Sequence, residues 1–372
     1  MKITDISARK ILASKGDWTI ETTLVLEDGS YGIASVPAGI STGKAEAKTL
    51  EVGDSVILTN DSLSKELIDK DFATLKDFDS ALIALDGTPD KSKLGGNTTL
   101  SLSLAFAKAS AMFKDESPLY IYLSDIIGSK YLKIPELLVL MFEGGMHARS
   151  LLSIQEFMVH CKTVEDGLKS YQRVNDAMNT RNLPTTVGFE GAFSPPNFTN
   201  ENALDLLSSL FGPGSISLDV ADSYTNGAPL DFEDIISKYA PLSIEDPFDE
   251  EAWDSWEVFN KNNSSKTLVV ADDLVVTNKI RLQKVIEKHA AGAVVVKANQ
   301  IGTLSETLEF VQLARQAKLK IIVSHRGEET TDDWLADLAV AVGADYVKFG
   351  GFARGERISK YNRLLQIIDD LR

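Results

Sequence analysis

Six apolar runs in the second half of the chain each close on an ionisable residue. They are ISLD at Asp219, LSIE at Glu245, LVVAD at Asp272, VVVK at Lys297, IIVSH at His325 and YVK at Lys348. Successive closing residues lie 26, 27, 25, 28 and 23 positions apart. About 25 residues make one strand, one helix and two short loops, so the spacing predicts a repeated βα unit. In a closed β/α barrel the C-terminal strand ends face one pocket, and such barrels do their chemistry there. Three acids followed by two lysines and a histidine predict a metal site facing a cationic site.

The 372 residues are too many for one small domain and enough for a barrel plus a second domain. A formal net charge of -16 repels polyanions on average, which argues against nucleic acid and anionic membrane surfaces as partners. An anionic small substrate would need a local cationic cluster. The single cysteine, Cys161, cannot form an intrachain disulfide and fits a reducing compartment. The N-terminal MKITDISARKIL carries charges where a signal peptide needs an apolar stretch. The longest apolar run, Leu137 to Phe142, is far too short to span a bilayer. The expectation is a soluble cytoplasmic protein.

Trp18, Ile20, Thr22, Leu24 and Leu26 alternate with more polar neighbours, Asp28-Gly29 supplies a turn, and Tyr31 to Val36 returns. With Ile3 to Ile11 this predicts an antiparallel meander. Helices are predicted over Asp61 to Lys70 and over a buried segment, Thr98 to Lys114, capped by Asn97. Pro118 and the stretch Ser124 to Pro135 mark a junction. The predicted division is an N-terminal α+β domain over 1–125 and a C-terminal β/α barrel over 126–372, an α/β chain overall. Within the barrel, Thr277 or Asn278 starts a helix with Ile280, Val285 and Ile286 on one side. Thr303 and Glu306 form a capping box ahead of the stripe Leu304, Leu308, Val311 and Ala314. Asp332 or Asp333 starts another helix, closed by Gly343.

An acid at a strand end often just caps the next helix. Six ionisable ends in consecutive units resist that explanation, because Lys297 and Lys348 cannot accept a hydrogen bond and a cation is unfavourable at a helix N-terminus. Asp219, Glu245 and Asp272 in one pocket would repel each other unless a cation sits between them. Oxygen donors without cysteine point to Mg²⁺, Mn²⁺ or Ca²⁺. A lysine near such a metal is a candidate general base.

Several stretches, in this order, carry a resemblance. They are VPAGISTGKAEA (Val36 to Ala47), LDGTPDKSKLGGNTTLSLSLAFAKA (Leu85 to Ala109), GGMHA (Gly144 to Ala148), IQEFM (Ile154 to Met158) and VGFEGAF (Val187 to Phe193). SIEDP (Ser243 to Pro247), ADDLVVTN (Ala271 to Asn278), VKANQIGTLSET (Val296 to Thr307), SHRGEETTDD (Ser324 to Asp333) and AVGADYVKFGGFARGERISKYNRLL (Ala341 to Leu365) follow. The chain resembles the enolases, the phosphopyruvate hydratases of glycolysis, almost from end to end. The resemblance implies an enolase-type barrel and reversible dehydration of 2-phosphoglycerate to phosphoenolpyruvate. It implies Asp219, Glu245 and Asp272 as ligands of a high-affinity Mg²⁺, with Ser41 reaching a second Mg²⁺ that arrives with substrate. Lys297 matches the base that takes the α-proton and Glu190 the acid that protonates the leaving hydroxyl, with Glu156 as its partner. Lys348 matches the cation that steadies the carboxylate and enolate. His325 matches a catalytic residue, and His147, Gln155, Arg326 and Gly327 match substrate contacts. A homodimer or higher even oligomer is implied as well.

Some positions depart from the family pattern. Phe189 stands for an Asp directly before Glu190, Ala192 for a Gly, Glu143 for an Asn and Lys15 for an Arg. In the phosphate loop Gly327 replaces a Ser and Glu328 a Gly, and a carboxylate there would repel a phosphate if it pointed inward. Glu21 matches the acidic member of a cross-subunit ion pair whose arginine position holds Gln366. GISTGK at 39–44 is one residue too short for a nucleotide P-loop. The alternatives are an enolase-like lyase or racemase for another carboxylic acid, and a catalytically silent binding protein.

Overall fold

The computed structural model describes residues 1–39, 43–114, 116–128, 132–145, 151–221 and 230–372. Strands β1 (Ile3–Leu12), β2 (Trp18–Leu26) and β3 (Tyr31–Ser35) form the expected antiparallel meander. Asp28 closes the second turn by accepting from the Ser30 N–H and hydroxyl, and Gly29 takes φ +89° there. Ile20, Thr22, Leu24 and Leu26 bury one face, as their alternation predicts.

Helices α1 (Val52–Leu58), α2 (Ser64–Leu67), α3 (Leu75–Asp86), α4 (Gly96–Phe113) and α5 (Leu119–Ile127) follow. The helix expected over Asp61 to Lys70 begins earlier and passes through a π-turn at Thr59–Leu63 between α1 and α2. Asn97 is not the cap of α4, which starts after Gly95 at φ +84°. Its amide instead pairs with both backbone groups of Leu50, pinning the incoming loop. The helix is buried nearly all round and lies against the meander. Gly32 permits this close approach, since a Cβ there would sit 2.8 Å from the Lys108 Cβ.

The rest of the chain builds a closed eight-stranded barrel, in order β10-β11-β4-β5-β6-β7-β8-β9. Its strands are β4 (Glu136–Glu143), β5 (Glu156–Cys161), β6 (Ile216–Asp219), β7 (Ser243–Glu245), β8 (Leu268–Ala271), β9 (Ala293–Val296), β10 (Lys320–Ser324) and β11 (Tyr346–Lys348). Outside it run α6 (Val164–Thr180), α7 (Asn200–Phe211), α8 (Phe232–Tyr239), α9 (Trp253–Asn263), α10 (Lys279–Lys288), α11 (Leu304–Gln316), α12 (Trp334–Ala341) and α13 (Gly355–Asp370). The chain is therefore an α/β protein with an α+β N-terminal part and a β/α barrel. One strand departs from the repeated βα unit: β5 pairs antiparallel with both β4 and β6. Alternate strand residues such as Leu138, Leu140, Val270, Val295 and Ile322 fill the barrel interior, while Val139, Met141, Val269 and Val294 face the helices. Both faces are buried, so these strands read as continuous apolar runs.

Asn278 caps α10 and Thr303 caps α11, as predicted. Ile280 is 82% exposed, because Leu282 and Val285 supply the buried stripe of α10 instead. The meander sits across the C-terminal rim of the barrel. Ser35 hydroxyl pairs with that of Thr330, Ala38 bridges Glu328, and Lys108 pairs with Asp332 at 2.7 Å.

Asp79 of α3 lies fully buried against the start of α11, accepting from the Ser305 N–H at 2.9 Å. Burial outweighs its hydrogen bonds and pushes its carboxyl from 3.8 up to about 6. The folded state thus holds this proton more tightly than the unfolded chain. Its contribution is complete below about pH 4 and lost as pH rises to about 6, amounting to about 3 kcal/mol. Asp79→Asn keeps an acceptor for Ser305 and removes the titration. Its urea midpoint should rise relative to wild type between pH 4 and 6 and stay higher at pH 7.

Candidate active site

The barrel period brings all six ionisable strand ends to one rim. Asp219, Glu245 and Lys348 are the last residues of β6, β7 and β11, and Asp272, Lys297 and His325 lie one past β8, β9 and β10. Glu156 opens β5, yet it joins this rim because β5 runs the other way; it lies in register with Asp219 on one side and Glu143 on the other.

Lys348 is 2% exposed and surrounded by carboxylates. Its Nζ lies 2.8 and 2.9 Å from the two Glu245 oxygens, 2.9 Å from Glu156 and 3.2 Å from Asp219. Burial alone would lower its ammonium, but Glu156, Glu245, Asp219 and Asp272 outweigh it and hold Lys348 well above the ordinary value. Burial and Asp219 push Glu245 up in turn, opposed by Lys348.

Lys297 donates to one oxygen of Asp272, and Gln300 donates to the other at 3.2 Å. Gln300 is itself fixed by the Thr277 hydroxyl, which also accepts from the Lys297 N–H. Asp272 drives Lys297 up against its own burial, and Lys297 and Lys348 hold Asp272 down against its burial. Asp246, in left-handed backbone at φ +44°, accepts from the N–H groups of Asp272 and Asp273. Carboxylate oxygens of Asp246, Asp272 and Asp273 gather within 4.8 Å of one another.

The predicted triad Asp219, Glu245 and Asp272 is not gathered into one such cluster, since lysines lie on all three carboxylates. Lys348 spans Asp219 and Glu245, and Lys297 takes Asp272. These ammoniums stand where a cation would, and the donors are buried oxygens only. The residues present therefore fit a hard divalent metal ion.

Ligand atoms of Glu156, Glu190 and His325 also lie within 4.8 Å of one another. The Glu190 loop is clamped by Glu143, whose carboxylate accepts from the Glu190 N–H at 2.9 Å and the Ala192 N–H at 3.1 Å. His325 Nε2 lies 3.8 Å from Glu190, and burial holds its imidazole well below the usual value. Arg326 forks onto Glu46 at 3.1 and 3.2 Å and donates to Asn299. Gly327 carbonyl accepts from Arg357, and buried Gln155 links by its backbone to Asp219 and Gly144. Burial and Asp17 raise the Glu328 carboxyl, opposed by Lys15. The Phe189 ring is 40% exposed, with Lys15 Nζ 5.5 Å from its centre. Glu21 pairs within the chain with Arg9 at 2.7 Å, and Gln366 accepts from Arg363. Ser41 and His147 lie outside the described residues.

Sequence reasoning missed Glu46, Gln300, Asp246 and Arg357. Glu46 and Arg326 are 280 positions apart, beyond any local pattern. Arg357 did leave a signal: a cation in the first turn of α13 opposes the helix dipole, so its side chain is needed elsewhere.

Buried lysines, paired acids and oxygen-only donors thus meet on one rim of a β/α barrel. Residues 3–123 match the family model of the enolase N-terminal domain, and residues 129–224 and 219–372 match that of the enolase C-terminal TIM barrel domain. A protein named enolase from Bifidobacterium adolescentis is 38% identical over 412 residues, covering 99% of this chain and 94% of that protein. The chain belongs to the enolase family, and its enzyme class is phosphopyruvate hydratase, a hydro-lyase. The alignment is longer than the 372 residues of this chain, so segments present in that relative are trimmed here. Among the described residues, no helix is long and apolar enough to cross a membrane.

Proposed function

We propose that this chain catalyses the Mg²⁺-dependent, reversible dehydration of 2-phosphoglycerate to phosphoenolpyruvate, in the cytoplasm and as a homodimer or higher even oligomer. The observation that carries the reading is the shared rim, which holds Lys297 with Asp272, Glu190 with His325 and Glu156, and Lys348 among the carboxylates.

Lys297 removes the proton from the carbon beside the carboxylate. The C–H electron pair moves into the carboxylate, giving a doubly charged enolate that Lys348 steadies. The carbon–oxygen bond then breaks, and Glu190 gives the departing hydroxyl a proton so that it leaves as water. Arg326, buried and paired with Glu46, would take the phosphate, with Gly327, His147 and Gln155 as further contacts. Asp219, Glu245 and Asp272 would hold one Mg²⁺ and Ser41 would help hold a second, and these ions would supply positive charge to the enolate.

The test is to add 2-phosphoglycerate and Mg²⁺ to the purified chain and follow the ultraviolet absorbance of the product. Turnover should appear, stop with chelator and return with excess Mg²⁺. No turnover by folded protein at saturating metal sinks the reading. Proton exchange on another carboxylic acid would then favour a superfamily lyase or racemase.

A further inference from the structure

Arg357 is a charged residue with no surface exposure, lodged between the two loops that carry the acid and the histidine. Its four terminal N–H groups meet four acceptors. Nη1 donates to His325 Nδ1 at 2.6 Å and to the Arg326 carbonyl at 2.6 Å. Nη2 donates to the Gly327 carbonyl at 2.7 Å and the Phe189 carbonyl at 3.2 Å. One guanidinium thus joins residues 326–327 to the residue directly before Glu190. Gly350, at φ +86°, makes room for this junction: a Cβ there would meet the Glu190 carbonyl at 2.5 Å, His325 Cε1 at 3.0 Å and Arg357 Cδ at 3.1 Å.

A guanidinium only donates, and it stays charged under all working conditions. The nitrogen it meets on His325 must therefore be the bare one. That leaves the ring proton on Nε2, the nitrogen that faces Glu190 at 3.8 Å. We infer that Arg357 is the positioning residue that holds His325 as the neutral Nε2–H tautomer and locks the Glu190 loop to the His325–Gly327 loop. The charged groups acting on His325 are Glu190, Arg357, Lys348 and Lys297; burial and the three cations oppose a second ring proton, while Glu190 favours it. Lysine cannot replace Arg357, because three donors on one nitrogen cannot span four acceptors on two loops.

The inference rests on His325 belonging to the reactive site, but its test needs no turnover. Long-range ¹H–¹⁵N correlation spectra of the ligand-free labelled chain report the tautomer of each of its 4 histidines, with His325 assigned by its loss in His325→Gln. At pH 7 wild type should show His325 neutral, protonated on Nε2 and bare on Nδ1. In folded Arg357→Lys the ring signature should shift, and kcat should fall about 10- to 100-fold, more than KM changes. A wild-type His325 protonated on Nδ1, or an imidazolium at pH 7, overturns the inference. So does an Arg357→Lys chain whose His325 signature is unchanged. The wild-type spectrum decides even if the variant does not fold, and it stands apart from whether 2-phosphoglycerate is the substrate.

Discussion

Lys297→Ala should lower turnover of 2-phosphoglycerate by about 10²- to 10⁴-fold, the usual contribution of a positioned general base. The side chain is placed for that task by two independent ties, its ammonium to Asp272 and its backbone N–H to the Thr277 hydroxyl. Asp272 drives Lys297 toward its protonated form, so the base needs the charge of Asp272 drawn elsewhere. The defect should therefore be in kcat, with KM changing little and the circular dichroism spectrum native. Initial rates with saturating Mg²⁺ decide it. Retention of more than a tenth of wild-type kcat would remove Lys297 from the base role.

Lys348→Met should be the most destabilising change at the site in the absence of divalent metal. It removes the single ammonium shared by Glu156, Asp219 and Glu245 and leaves three buried carboxylates facing one another. Breaking a buried ion pair from one side typically costs about 3–5 kcal/mol. The urea midpoint in chelator should drop accordingly, and Mg²⁺ should restore more stability to the variant than to wild type. Equal midpoints in chelator would show that Lys348 does not balance those acids. Turnover should be lost as well, because the enolate would lose the cation proposed to steady it.

The barrel was legible because six strand ends recur at nearly one period and each carries charge. Strands β4 and β5 escaped that period for a physical reason: among the described residues no α-helix lies between them, and β5 is reversed. Reversal also explains how Glu156, at the start of its strand, meets Lys348 at the end of another. Local pattern misplaced the cap of α4, since Asn97 pairs with Leu50 across the chain instead of with its own helix. It also put Ile280 inside, where α10 turns Leu282 and Val285 inward. The supporting side chains were the least legible. Glu143 appeared only as an odd substitution, yet its carboxylate clamps the Glu190 loop. Glu46 and Arg357 act through partners that only the closed barrel brings near.

Proton removal falls to Lys297 and hydroxyl departure to Glu190. Hydrogen exchange at the carbon beside the carboxylate of 2-phosphoglycerate, followed by NMR in D₂O with Mg²⁺, separates the two. Glu190→Gln should exchange that hydrogen while forming almost no phosphoenolpyruvate, and Lys297→Ala should do neither. Exchange by Lys297→Ala at the wild-type rate would contradict the assignment.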